Sequence, residues 1–120
     1  MRRYVSATQS ATQLASRLAQ VASDKHGSDI VALDVSQTLT ITDIFLIISA
    51  GNPRLLAAII DAIDDAAGSL VLRREGEAMA RWVLLDLADV VVHVMLEEDR
   101  QLYSLERLWQ DAPQLTLDLT

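Results

Sequence analysis

Apolar residues crowd into two adjoining stretches, Arg81 to Leu87 and Val90 to Leu96, the second rich in β-branched valine. Short apolar runs of this composition predict strands. Leu87-Ala88-Asp89 interrupts them as a short acidic turn, so the pair predicts a hairpin. With the turn centred on Ala88-Asp89, Leu87 faces Val90, Asp86 faces Val91 and Leu84 faces His93. Side chains alternate sides along a strand, which sorts the ribbon into two faces. One carries Val83, Leu85, Leu87, Val90, Val92, Val94 and Leu96, with nothing polar among them. The other carries Trp82, Leu84, Asp86, Val91, His93 and Met95. The first is a core face. The second has two readings. It is either a docking surface, given its aromatic, aliphatic and ionisable mixture, or a second core layer with Asp86 and His93 hydrogen-bonded at its edge. A two-residue connection favours positive φ, so Ala88 is expected to be strained.

The same patterning places the other elements. Ala11, Leu14, Ala15, Leu18, Val21 and Ala22 recur at helical spacing, and Gly27 follows as a stop. His26, beside Gly27, fits a helix-ending cap. Asp29 to Val35 and Asp43 to Ala50 read as strands buried on both faces or nearly so, joined by the polar Ser36 to Thr42. Gly51-Asn52-Pro53 opens a second helix, with Asn52 as N-cap and Pro53 at its first position. Leu56, Ile59, Ile60, Ile63 and Ala67 form its buried stripe, and Gly68 ends it. Leu70 to Arg74 suggests a third strand turning at Glu75-Gly76-Glu77. Glu97-Glu98-Asp99 suits the positive end of a last helix, with Leu102, Leu105, Leu108 and Trp109 on its apolar side and Pro113 as its stop. The tail, Gln114 to Thr120, alternates apolar and polar residues, which leaves open an added strand or a free end. The predicted class is α/β (mixed α+β), one domain with about five strands and helices packed on the sheet. Residues 1–10 are expected to be a flexible N-terminus, 11–113 the domain, and 114–120 a C-terminal tail.

Composition narrows the functional classes. A chain of 120 residues with 51% hydrophobic and 22% charged residues can bury a core unaided. It has no cysteine, which removes disulfides and thiolate chemistry and fits a reducing cytoplasm. The apolar run Ile44 to Gly51 is too short to span a bilayer, and the basic Met1-Arg2-Arg3-Tyr4 is not followed by the apolar stretch of a secretory signal. The net charge of −7 repels bare phosphate backbones. Any nucleic-acid assembly is therefore expected to be met through a basic protein, with little direct nucleic-acid contact.

Catalytic patterns are thin. Gly51-Asn52 could cradle a phosphate, but a helix start explains the same residues and no P-loop lysine accompanies them. Asp61, Asp64 and Asp65 share one helix face, whose plain reading is a solvated surface, so no metal is expected. Asp86, Asp89 and His93 are acids and a base near one hairpin, yet no nucleophile joins them. Arg73, Arg74 and Arg81 are too few, and too interrupted by Glu75 and Glu77, for an RNA site.

Several motifs in order carry a family resemblance. Asp29-Ile30-Val31-Ala32-Leu33-Asp34-Val35, Ile41-Thr42-Asp43-Ile44-Phe45, Glu75-Gly76, Trp82 through Val94 and Tyr103-Ser104-Leu105-Glu106-Arg107-Leu108-Trp109 resemble the ribosomal silencing factor family, also called RsfS or Iojap-like. The likeness runs from about Ala11 to Pro113. It implies a nucleotidyltransferase-like fold without transferase activity and without a cofactor. It further implies binding to a basic protein on the joining face of the large ribosomal subunit, which blocks the small subunit and represses translation when nutrients are short. The contact surface it implies lies on the ribbon: Trp82, Leu84, Asp86, Leu87, Asp89, His93 and Met95. A homodimer is left open. Two departures stand out: Ala88 occupies a turn position where the family usually has glycine, and Pro53-Arg54-Leu55-Leu56 keeps one arginine at a helix start that is often more basic. The rival readings are a small nucleotidyltransferase-like enzyme using Asp34 or Asp43 near Gly51, and an adaptor for another basic protein.

Overall fold

The computed structural model describes residues 7–37, 41–76, 81–103 (101–103 by backbone alone) and 112–120. The elements in chain order are helix α1 (Gln9–Asp24), strands β1 (Ser28–Asp34) and β2 (Ile44–Ala50), helix α2 (Pro53–Ala67), strands β3 (Arg73–Glu75), β4 (Trp82–Asp86) and β5 (Val90–Leu96), helix α3 (Glu97–Tyr103) and strand β6 (Gln114–Leu115). They build one six-stranded sheet in the order β3-β4-β5-β2-β1-β6. The strand beyond the expected five is β6, a two-residue pairing of the tail with β1.

Every neighbouring pair is antiparallel except β2 with β5, which run parallel at the centre of the sheet. A parallel pair needs a long crossover, and α2 with β3 and β4 supplies it. Burial on both sides of that central pair explains the apolar runs of β2 and β5, broken only by Ser49 and His93. Ile44, Leu46, Ile48 and Ala50 turn to one side, with Val83, Leu85, Leu87, Val90, Val92, Val94 and Leu96. There they meet Ala11, Ala15, Leu18, Ala19 and Ala22 of α1 and Leu56, Ile59, Ile60, Ile63 and Ala67 of α2. The hairpin face predicted to be core is that core.

Local chemistry ends the helices. Asn52 accepts from the Leu55 N–H at 2.8 Å, with Pro53 in the first turn of α2. At the end of α1 the Gly27 N–H bonds the Ala22 carbonyl at 2.8 Å and the His26 N–H bonds that of Ser23 at 3.0 Å. This is the Schellman arrangement, with His26 at φ 68 in the left-handed position that glycine usually takes. Gly27 is needed for space instead: a Cβ there would lie 2.9 Å from Ile48 Cγ2 and 3.0 Å from the Ala22 carbonyl oxygen.

Two expectations are corrected, and the question left open for the tail is answered. The third strand begins at Arg73, not Leu70, because Gly68 to Leu70 form a 3₁₀ turn that must close before the chain reaches the edge of β4. Leu70 and Leu72 are consequently exposed. Of the terminal stretch expected to be loose, Ala7 to Ser10 are tied in, since Thr8 is the N-cap of α1 and its own N–H bonds the Asp43 carboxylate at 2.9 Å. Met1 to Ser6 lie outside the described residues, as do Leu105, Leu108 and Trp109 of the last helix. The tail does not hang free: Leu115, Leu117 and Leu119 pack on the core and the Thr120 N–H bonds Gln20 Oε1 at 3.0 Å.

Candidate functional site

The register of the hairpin is the one the pattern predicts, with Leu84 opposite His93, Asp86 opposite Val91 and Trp82 opposite Met95. Its second face continues through β2 and β1, because the β2–β5 register sets Phe45 beside Val91, Ile47 beside His93 and Ser49 beside Met95. Leu33, Val35, Ile47 and Met95 form a small buried cluster there, flanked by Val31, Phe45, Trp82 and Ala112. Both readings of this face therefore hold in part. Its floor is core, while Trp82, Leu84, Asp86, Val91 and Phe45 stay half-buried.

The residues expected to meet a partner divide accordingly. Trp82, Leu84 and Asp86 are half-buried neighbours, and Asp89 is exposed at the turn. Met95 is 0% exposed and His93 6%, so both support the face from beneath. Leu87, 5% exposed, points to the helix-covered side, as its parity on the strand requires. Neither Met95 nor Leu87 offers a side chain to a partner in this conformation. Phe45 and Val91 complete the accessible rim. Phe45 is missing from the set that the sequence suggests because strand parity cannot show that β2 lies beside β5.

Trp82 is held by a specific contact. Its indole N–H donates to His93 Nδ1 at 3.1 Å. Phe45 meets the same imidazole edge-on, with ring centroids 4.8 Å apart at 66°. An Nδ1 that accepts carries no proton, so neutral His93 bears its proton on Nε2. Nε2 is buried without a hydrogen-bond partner among the described residues. Burial pushes the His93 pKa down to about 4, from an ordinary 6.5.

The acids have structural duties. Asp86 Oδ1 accepts the Ala88 N–H at 2.9 Å, closing an Asx turn across the hairpin, and Oδ2 lies 3.9 Å from Arg73 Nη2. Ala88 has φ 67, and the Asp89 N–H bonds the Leu87 carbonyl at 2.9 Å. That is a γ-turn centred on a non-glycine residue at positive φ, a strained form, as anticipated for this alanine. The Asp89 carbonyl takes the N–H groups of both Asp43 and Ile44 at 3.0 Å, locking the turn to the start of β2.

The carboxylates considered for catalysis sit elsewhere. Asp34 Oδ2 accepts the Ala7 N–H at 2.9 Å, while Ser36 bonds Oδ1 through both its backbone and its hydroxyl. Burial alone would raise the Asp34 pKa, but these hydrogen bonds outweigh it and hold the carboxyl below its usual value. Asp43 is engaged by Thr8. Both acids lie at the opening end of β2, whereas Gly51 follows its far end, roughly 25 Å away at a strand's rise per residue. They do not converge on Gly51. No group of three or more potential metal ligands occurs among the described residues. Of the arginines, Arg81 forks onto Asp99 at 2.9–3.2 Å and also meets Glu98; these partners raise its pKa further. Arg73 pairs with Glu75 at 3.4 Å.

A family model described as "Ribosomal silencing factor during starvation" matches residues 8–120. The chain belongs to the ribosomal silencing factor family. It is 45% identical over 98 residues to ribosomal silencing factor RsfS of Bacillus subtilis, spanning 79% of this chain and 83% of that one. A mouse protein named mitochondrial assembly of ribosomal large subunit protein 1 is 31% identical over 91 residues, covering 71% of this chain and 40% of its own. Among solved structures, a crystal structure from Bacillus halodurans superposes with a TM-score of 0.75 at 35% identity, covering 92% of this chain and all of the other. For a silencing factor the observed α/β sheet is the family's own fold. The resemblance carried by the Trp82–Val94 ribbon is thereby a family relationship.

Proposed function

We propose that this silencing factor represses translation without catalysis. It docks the rim of Trp82, Leu84, Asp86, Val91 and Phe45, with Asp89 beside it, onto a basic protein of the large ribosomal subunit. Occupying the joining face, it sterically keeps the small subunit away. The observation that carries the reading is Trp82, a large aromatic half-buried on a strand face whose floor is already packed. Amphipathic aromatics in such positions supply much of an interface's affinity. Net charge −7 favours a basic partner and disfavours direct contact with phosphate. The mouse relative, named for assembly of the ribosomal large subunit, supports the choice of subunit. An enzymatic role draws little support, since Asp34 and Asp43 hold backbone amides of the N-terminal segment. The setting is the cytoplasm of nutrient-limited cells.

The decisive experiment sediments the protein with purified large or small subunits, then adds the missing subunit. The expected outcome is saturable binding to the large subunit alone, weakened by salt, and a fall in joined ribosomes that follows occupancy. Co-sedimentation with neither subunit, or binding with no effect on joining, would overturn the proposal.

A further inference from the structure

The imidazole beneath the rim has a geometry that its burial does not require. His93 sits on β5 directly across from Leu84, one strand over from Trp82, at 6% exposure. A core position of this kind would be filled more cheaply by an apolar ring, because neutral histidine must bury a polar N–H. That cost is visible: Nε2 lies buried with no partner among the described residues, while Nδ1 is spent on the Trp82 indole at 3.1 Å. Phe45 meets the imidazole edge-on from β2 at 4.8 Å, so the ring is contacted from a neighbouring strand as well as by Trp82 of β4, whose ring centroid lies 5.9 Å away. The acceptor therefore stands at a fixed place under a side chain that is half-buried and carries the only indole on this ribbon.

We infer that His93 is a positioning residue: through its Nδ1 acceptor it holds the Trp82 indole in the orientation in which the ring is presented to the partner. It does not touch the partner itself. The bond adds a directional restraint to the packing of Trp82 on its cluster, so that less of the ring's order has to be supplied on binding. The inference extends the docking role of Trp82 and rests on that reading for its binding arm only.

The test compares His93→Phe with His93→Asn. Phenylalanine keeps a ring of similar size, removes the acceptor and also removes the orphaned N–H, so the fold should be as stable as wild type or more so. Asparagine is smaller but returns an oxygen acceptor near the position of Nδ1. In free protein, ¹⁵N NMR of wild type should show His93 as the Nε2–H tautomer and a slowly exchanging Trp82 indole N–H, assigned by its absence in Trp82→Phe. That indole should exchange faster in His93→Phe and recover protection in His93→Asn. In co-sedimentation with large subunits, His93→Phe should bind roughly tenfold more weakly despite its retained stability, and His93→Asn should recover most of the loss. A histidine that only fills the core predicts the same kept stability for phenylalanine but unchanged binding, and that result overturns the inference. An Nδ1–H tautomer, or an indole unprotected in wild type, overturns it too. If Trp82→Phe binds like wild type while the indole protection behaves as expected, the docking reading of Trp82 fails and the hydrogen bond stands.

Discussion

The two faces of one hairpin differ by a single residue of parity, yet they do different work. Val83, Leu85, Leu87, Val90, Val92, Val94 and Leu96 look toward α1 and α2, and none is more than 5% exposed. One residue over, Met95 and His93 are buried while Trp82, Leu84, Asp86 and Val91 remain half-buried. On the first face every contact is apolar and non-directional, so shape and volume decide its stability. The second mixes packing with directional bonds: indole to imidazole, carboxylate to turn amide. The second face is thus a thin core with a specified rim. A layer that served packing alone would need neither the tryptophan's half exposure nor the histidine.

The contrast can be broken most directly by truncating adjacent residues. Leu85→Ala, on the helix-covered face, should cost about 2–5 kcal/mol of stability by leaving a cavity. Leu84→Ala should cost about 1 kcal/mol or less, since that side chain is only half-buried. Denaturant unfolding measures both, and similar costs would mean that both faces are full core.

The next largest effect is acid sensitivity arising on the second face alone. His93 titrates at about 4 when folded against an ordinary 6.5, so the unfolded chain takes up its proton first. Stability from keeping this ring neutral is complete above pH 6.5, falls as pH drops toward 4, and falls no further below. The total is on the order of 3 kcal/mol. Asp34, held below its usual value, adds a loss at lower pH, as its carboxyl protonates. His93→Phe should abolish the slope between pH 6.5 and 4 and leave the Asp34 loss in place. Unfolding curves across that range with an unchanged slope in the variant would show that the histidine is not the source.

Trp82→Ala sharpens the functional side of the contrast. It should weaken large-subunit binding by about 2 kcal/mol or more while unfolding stays cooperative. Leu84→Ala should do less, and Leu85→Ala should act only through stability. Binding of Trp82→Ala at wild-type strength would remove the rim from the interface. The smallest effect belongs to the turn that joins the faces. Ala88→Gly should relieve the positive φ and raise stability by about 1 kcal/mol or less, because glycine's extra freedom when unfolded offsets part of the relief. A melting temperature a few degrees higher in a thermal scan is the expected sign. A drop would mean that the γ-turn at Ala88 is not strained.

Much of this arrangement is legible in the sequence. Alternation assigns the faces and register of β4 and β5, Asn52-Pro53 marks the start of α2, and Ala88 at the turn announces strain. The motifs from Asp29 to Trp109 carry the family likeness. Of the residues expected at the interface, Trp82, Leu84, Asp86 and Asp89 keep some exposure, whereas Leu87 and Met95 do not. The burial of Leu87 is readable from parity alone, since it falls on the strand face that carries the core. Met95 is not readable in this way, because its burial comes from β2 and β1 lying beside β5, contacts some fifty residues away in the chain.

The division follows from the range of the forces. Period, capping and turn chemistry act within a few residues, so the sequence by itself determined the first two helices, the main strands and the polar-free face of the hairpin. Strand order has no such local signature. Only the tertiary structure decided that β2 would pair in parallel with β5, that Thr8 and Ala7 would be claimed by Asp43 and Asp34, and that Arg81 would be held by Asp99. It also decided the rim. Trp82 and His93 face each other diagonally across β4 and β5 by sequence, but only the parallel pairing of β2 with β5 brings Phe45 against the same imidazole.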